Sequence, residues 1–205
     1  MGRKCPGRKC RAAKVAPQMS YLAGAANVRA ANVRAANVRD ANGIRPSNTL
    51  SAAEQADIQA FCSLIEETLR NAEKYLSWLD DESYELVTKK RYGSVYLWPL
   101  NWLLPTLKRR EMHNYLADIG WADLPMAKVA ERCDKCFHAL SIKLGQQQFF
   151  VGDQPTELDA LAFGHLYTLL TTEMPNKAIV ETLSKYPNLI AFCKTIDKEY
   201  FSQNF

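Results

Sequence analysis

Apolar residues recur at spacings of three and four through most of the chain after residue 50, which is the pattern of amphipathic helices. The clearest series follows Ser51-Ala-Ala-Glu54, which has the form of a capping box, and it continues to about Leu79. No run alternates between apolar and polar positions in the way that strands of an antiparallel sheet do. The sequence therefore predicts an all-α domain. Further helices are predicted over residues 106–118, 125–144, 177–184 and 187–201.

The segment from Gln154 to Thr172, QPTELDALAFGHLYTLLTT, is almost wholly apolar after a polar start. A bilayer core needs about 20 apolar residues, and this run is shorter and contains Asp159 and His165, which are costly in lipid. Thr156 and Asp159 have the spacing of a capping box, which predicts that they cap a buried central helix. His165 has no nucleophile in a recognisable arrangement around it. We therefore favour a buried, hydrogen-bonded histidine over a general base.

An aromatic segment, RYGSVYLWPLNWLLP at residues 91–105, predicts an irregular and largely packed connection because it contains glycine and two prolines. Its aromatic side chains suit either a partner interface, where aromatics dominate the binding energy, or the core of the domain itself. The sequence leaves both interpretations open. The basic run at 108–110 suits anionic lipid or an acidic partner, although such runs usually lie on a solvated face. The candidate interface residues are Tyr92, Tyr96, Trp98 and Trp102.

Charge is distributed unevenly along the chain, whose net charge is +4. Residues 1–45 contain ten of the 26 Lys and Arg residues and one acid, which leaves 16 bases and 21 acids in residues 46–205. The body is therefore mildly acidic, and nucleic acid is not expected as a partner. Residues 1–47 include three copies of AANVR and predict a low-complexity, disordered arm, with a transit peptide as the alternative. The folded domain is predicted to span residues 48–205.

Six cysteines are spread over the chain without a secretory signal, which favours a reducing compartment. Cys133 and Cys136 form a CxxC pair, but a zinc site needs a second pair and His138 is the only nearby candidate ligand. A redox CxxC begins a helix after a strand, whereas this one lies inside a helical pattern. We therefore favour buried core thiols. The sequence predicts no catalytic residue, no metal ligand and no cofactor-binding residue.

Several motifs together resemble known proteins. The stretch FFVGDQPTELDALAFGHL resembles the C-terminal helical domain of the glutathione transferase fold, which has a Gly-Asp turn, a Pro-Thr corner and a capped central helix. With RYGSVYLWPLN, LADIGW and NLIAFCKTIDKEYF, the chain resembles the metaxin family, specifically its metaxin-2 branch, over roughly residues 50–201. The resemblance implies a glutathione transferase C-terminal-like helical bundle preceded by the basic arm.

The resemblance also implies a function. Metaxins are similar to subunits of the mitochondrial outer-membrane sorting and assembly machinery, so we expect a non-enzymatic role in protein import and β-barrel insertion. The implied location is the cytosolic face of the outer membrane, with another metaxin and the β-barrel assembly channel as partners and no cofactor. Members of the family usually carry a thioredoxin-like half before the helices, and we expect most of that half to be missing. The alternatives are a transferase-like enzyme or a cytosolic interaction module of the same fold.

Overall fold

A computed structural model describes residues 50–201, which are mostly helical and contain no strand. Two π-helical stretches, Tyr84–Thr88 and Asp197–Phe201, are continuous with neighbouring α-helices. The all-α prediction is therefore confirmed, while the predicted arm at 1–47 lies outside the described residues. The helices are α1 (Ala52–Trp78), α2 (Asp81–Ser83), α3 (Lys89–Gly93), α4 (Leu100–Asp118), α5 (Met126–Leu144), α6 (Glu157–Thr171), α7 (Ala178–Leu183) and α8 (Pro187–Ile196).

Local signals in the sequence set several of the helix ends. The Ser51 hydroxyl accepts a hydrogen bond from the Glu54 N–H at 3.3 Å, and the Glu54 carboxylate accepts one from the Ser51 N–H at 2.8 Å. This reciprocal pair satisfies N–H groups that the first turn of α1 leaves free. At the C-terminal end of α5, Gly145 has a φ of 55°, which residues with a Cβ rarely adopt. Pro187 begins α8, where a missing N–H costs nothing.

The core lies around α6, which packs against α1, α7 and α8, while α5 packs against α1, α7 and α8. Leu158, Ala162 and Leu166 of α6 are fully buried, as the prediction of a buried central helix requires. Burying large aliphatic and aromatic side chains on one face of each helix is what stabilises such a bundle. The largest fully buried side chains include Ile58, Ile65, Leu69, Phe137, Leu140 and Phe150.

The predicted connection at 91–105 differs from the structure in two ways. Residues up to Gly93 belong to α3 and residues from Leu100 belong to α4, so only the turn between them is irregular. The predicted helix 106–118 therefore begins six residues earlier, with Pro105 inside it. The prediction that the connection is largely packed is also wrong, since every residue of the turn is exposed. The helical stretch from Asp81 to Gly93 was not predicted.

Candidate interaction surface

The helices α3 and α4 pack against each other as a tight hairpin whose connecting turn is exposed. A methyl group placed on Gly93 would come within 2.5 Å of the carbonyl oxygen of Asn101, so the two helices approach more closely than any other residue would permit. The carbonyl of Asn101 is the group that the missing N–H of Pro105 leaves without its helical donor. The chain turns between the helices through a cis peptide bond at Trp98–Pro99.

Arg109 fastens this hairpin to the bundle. Its Nε donates to the carbonyl of Trp78 at 2.9 Å, and its Nη2 forms an ion pair with Asp81. The guanidinium carbon also lies 4.3 Å from the centre of the Tyr84 ring, within range of a cation–π contact. These contacts join α4 to the end of α1 and the start of α2 through one side chain.

Large apolar side chains at the end of the hairpin are exposed to solvent. Of the fifteen exposed large hydrophobic residues among residues 50–201, eight lie here, and Leu97 and Trp98 are 87% and 83% exposed. In the 19 residues of α4, only Pro105 and Leu116 are buried. Contiguous exposed apolar surface marks a site of interaction with a protein or a membrane. We call this surface the apolar tip, formed by Val95, Tyr96, Leu97, Trp98, Leu100, Trp102, Leu103 and Leu107.

The four aromatic residues singled out in the sequence do not share one environment. Tyr92 is half-buried, with its ring edge-on to Trp78 at 5.4 Å between centroids and 6.1 Å from the ring of Tyr96. Trp98 and Trp102 are exposed and lie outside the core of the described residues. Of the two interpretations that the sequence left open, core filling therefore does not apply to these tryptophans. Tyr92 instead packs between Trp78 of the bundle and Tyr96 of the turn.

Basic residues lie on both sides of the apolar tip in the sequence, since residues 89–110 contain six Lys and Arg and no acid. Lys89 pairs with Glu85 at 2.8 Å, and Lys108 pairs with Glu111 at 2.7 Å. Lys90, one of the other basic residues here, is exposed and has no ion-pair partner within residues 50–201.

Arg110 is likewise exposed and unpaired in this part of the structure. Lys90 lines an open groove of about 550 Å³ together with Tyr96 and Trp102, so basic and aromatic side chains share one surface.

Both oxygens of the Asp159 carboxylate accept hydrogen bonds from neighbouring residues of the fold. Its Oδ2 accepts hydrogen bonds from the N–H and the hydroxyl of Thr156, each at 2.7 Å, and its Oδ1 accepts one from the N–H of Phe150 at 2.8 Å. Burial raises the pKa of Asp159 above its ordinary value, although these hydrogen bonds oppose the rise by stabilising the carboxylate. The arrangement caps α6 and ties the preceding loop to it.

His165 is buried in the middle of α6, as predicted, and its Nδ1 lies 2.8 Å from Oε1 of Glu73 on α1. Its Nε2 is buried and has no hydrogen-bond partner. Glu73 also lines a cavity of about 130 Å³ between α1, α6 and α7. The pair therefore joins two helices of the core. Within residues 50–201, no group of three or more metal-binding side chains comes together.

The CxxC cysteines lie inside α5 with both thiols free and buried, which confirms the interpretation as core thiols. Burial raises the pKa of the Cys136 thiol to about 12 and that of Cys133 well above its ordinary range. A thiol that stays protonated is a poor nucleophile and a poor metal ligand. None of the helices in residues 50–201 combines the length and the apolarity that crossing a membrane requires.

Comparison with known proteins gives two family matches along the chain. Residues 21–109 match a family model described as "Outer mitochondrial membrane transport complex protein", and residues 133–196 match one described as "Glutathione S-transferase, C-terminal domain". The first match begins inside the segment predicted as an arm and contains the whole apolar tip. The second contains α6 with its cap and most of α5.

Individual relatives agree with these matches. Metaxin-2 of Homo sapiens is 43% identical over 155 residues, which cover 76% of this chain and 59% of the relative. The Metaxin-2 homolog of Caenorhabditis elegans is 49% identical over 129 residues, covering 63% of this chain and 56% of the relative. Metaxin-3 of Danio rerio is 35% identical over 162 residues, covering 75% and 51%. The chain thus spans between half and three fifths of the length of these relatives.

Proposed function

The chain belongs to the metaxin family, and from this premise we propose that it is a non-enzymatic subunit of the mitochondrial outer-membrane sorting and assembly machinery. In that role it supports protein import and the insertion of β-barrel proteins. Its partners are another metaxin and the β-barrel assembly channel, and it works on the cytosolic face of the membrane. The helical bundle is the scaffold, and no cofactor is required.

One observation carries the proposal, namely the apolar tip. A chain that worked alone in water would not be expected to leave eight large apolar side chains exposed along one hairpin. This hairpin lies in the segment that matches the transport-complex family, whereas the bundle behind it carries the transferase-like match. We therefore propose that the hairpin is the part of the chain that faces the membrane on which the complex works. The proposed aromatic contacts are Tyr92, Tyr96, Trp98 and Trp102.

A transferase-like enzyme is the first alternative. Against it, the polar groups of the transferase-like corner are engaged in the fold, since Asp159 caps α6 and His165 pairs with Glu73. Incubating the purified chain with glutathione and a chromogenic electrophile tests this alternative directly. Turnover no faster than the uncatalysed reaction agrees with the proposal, and clear catalysis contradicts the non-enzymatic role.

Fractionation of intact mitochondria tests the location. The chain should be recovered with the outer membrane, be released by alkaline carbonate, and be digested by protease before the outer membrane is opened. Depleting another metaxin should lower its amount on the organelle, because attachment runs through the complex. The basic arm offers a different route. Protection from protease until both membranes are broken, with residues 1–45 removed, would identify an imported matrix protein and end the proposal.

Recovery in the cytosol with normal metaxin levels would instead favour the second alternative, a cytosolic interaction module of the same fold.

A further inference from the structure

We propose that the apolar tip inserts into the boundary between headgroups and acyl chains of an anionic bilayer, with Lys90 and Arg110 placed against the lipid phosphates. The inference rests on the proposed function only for its location, at the surface of the outer membrane. It adds a direct contact with lipid, which the family match does not supply.

The shape of the tip favours lipid over a protein surface. Every residue from Val95 to Leu100 is exposed, and successive residues of a turn point in different directions. A flat protein surface covers one side of such a turn, whereas acyl chains enclose it on all sides. Tryptophan and leucine are also the residues that interfacial segments place at the membrane boundary. No charged side chain interrupts the span from Tyr92 to Leu107, so nothing charged would be carried into the apolar layer.

The positions of the basic residues are those expected for side chains in the headgroup layer when the tip is inserted. Arg110 follows Leu103 and Leu107 on one face of α4, and a rise of 1.5 Å per residue puts it roughly 15 Å along the helix from Leu100. Interfacial segments sink about 5–10 Å into the boundary, so this spacing keeps the guanidinium in the headgroup layer. Lys90 lines the groove beside Trp102 and is also set back from the turn.

The acidic character of the body does not prevent this contact. Charges separated by more than a Debye length, about 8 Å at physiological ionic strength, are largely screened. Three of the six bases in residues 89–110 are ion-paired with acids outside that range, namely Glu85, Glu111 and Asp81. The positive charge left for anionic lipid is therefore mainly that of Lys90 and Arg110. Each basic residue near an anionic surface contributes about a fivefold gain in affinity.

Tryptophan fluorescence tests the inference on the full chain. The probe is vesicles of phosphatidylcholine and phosphatidylserine whose acyl chains carry bromine, which quenches tryptophan at short range. The tryptophans are at positions 78, 98, 102 and 121. We expect strong quenching in these vesicles and weak quenching in brominated phosphatidylcholine alone. The double variant Trp98→Phe with Trp102→Phe should lose the quenching, while the matched control Trp78→Phe with Trp121→Phe should keep it.

This readout separates the tip from the basic arm, since residues 1–45 contain no tryptophan. Sedimentation with vesicles but without quenching would mean that the arm alone binds, and would overturn the inference. The variant Lys90→Gln with Arg110→Gln should lower vesicle affinity about fivefold for each charge. Lys194→Gln, at an exposed lysine on α8, is the control and should leave the affinity unchanged. Circular dichroism melts confirm that each variant is folded.

The remaining outcomes identify a different occupant and also overturn the inference. Absence of lipid quenching, with Trp98 and Trp102 shielded from acrylamide in solution, would mean that another part of the chain or a second copy covers the tip. Absence of lipid quenching, with open access to acrylamide and normal recovery with the outer membrane, would assign the tip to a protein partner. In that last case the proposed function stands and the lipid contact does not.

Discussion

The ring of His165 on α6 contacts the carboxylate of Glu73 on α1, with 2.8 Å between Nδ1 and Oε1. The histidine is almost fully buried. Within the described residues, no other ionisable side chain of α6 forms a hydrogen bond with α1. A buried polar group that loses its partner retains the full cost of its desolvation. The pair therefore contributes to the packing of the two helices.

Removing the partner of His165 should destabilise the fold. Glu73→Ala leaves Nδ1 buried without a hydrogen bond, and we expect a loss of about 1–3 kcal/mol in the free energy of unfolding. Glu73→Gln keeps a polar partner in place and should lose less. Urea unfolding followed by circular dichroism measures both. Glu67→Ala, at an exposed position of the same helix, should change stability by less than about 0.5 kcal/mol. Equal effects of Glu73→Ala and Glu67→Ala would contradict the role assigned to the pair.

Asp159→Ala should lower stability without altering any binding surface. Loss of a cap costs about 0.5–2 kcal/mol, and two buried N–H groups, of Phe150 and Thr156, also lose their acceptor. We therefore expect a loss at the upper end of that range or beyond it. Denaturant melts should show a lower midpoint with the native helix content below it. Asp153→Ala, at an exposed loop position, is the control. An unchanged midpoint together with lost recovery on membranes would make Asp159 a contact residue.

Alkaline pH should weaken the fold through the buried thiols. The pKa of Cys136 is about 12 in the folded chain, against about 8.5 for an unperturbed thiol. Between these values the unfolded chain releases the proton and the folded chain keeps it, so stability falls as pH rises. The loss reaches about 1.4 kcal/mol per pH unit for one such thiol. Comparing unfolding at about pH 8 and about pH 10 tests this, because Cys136→Ala should show a smaller alkaline loss than the unmodified chain.

Gly93→Ala should disturb the hairpin while leaving the bundle folded. The added methyl group would lie 2.5 Å from the backbone oxygen of Asn101, so α3 and α4 must separate. Overpacking of this kind costs about 1–3 kcal/mol. Hydrogen exchange should become faster in residues 89–105, with little change in α6. Ser94→Ala, next to it on the exposed side, is the matched control. Unchanged exchange in the hairpin of the Gly93 variant would show that the helices adjust without separating.

Patterns of burial explain why most of the fold could be predicted. The helices α1, α5, α6 and α8 each bury a face, so their apolar residues recur at helical spacing and their bounds lie within a few residues of the prediction. The start of α4 could not be found in this way, because few of its residues are buried and Pro105 has the appearance of a helix breaker. A proline is tolerated there because the hydrogen bond it removes is only the one to Asn101.

The exposure of the apolar tip could not be read from the sequence for a different reason. Trp98 and Trp102 lie in a segment whose apolar composition is that of a protein core. The spacing of residues along the chain does not show whether such a side chain packs inside its own domain or against something else. Only the structure shows that every residue of the turn between α3 and α4 is exposed. The cap of α6 is the opposite case, because Thr156 lies three residues before Asp159 and this spacing alone predicts their hydrogen bond.

The attachment of α4 through Arg109 has a geometric consequence. One guanidinium joins the hairpin to the carbonyl of Trp78, to Asp81 and to the ring of Tyr84, so it restrains the angle between the hairpin and the bundle. Whatever surface receives the tip therefore also sets the tilt of the whole protein above it. Arg109 is therefore one of the contacts that set the direction of each helix relative to that surface, although it lies outside the tip.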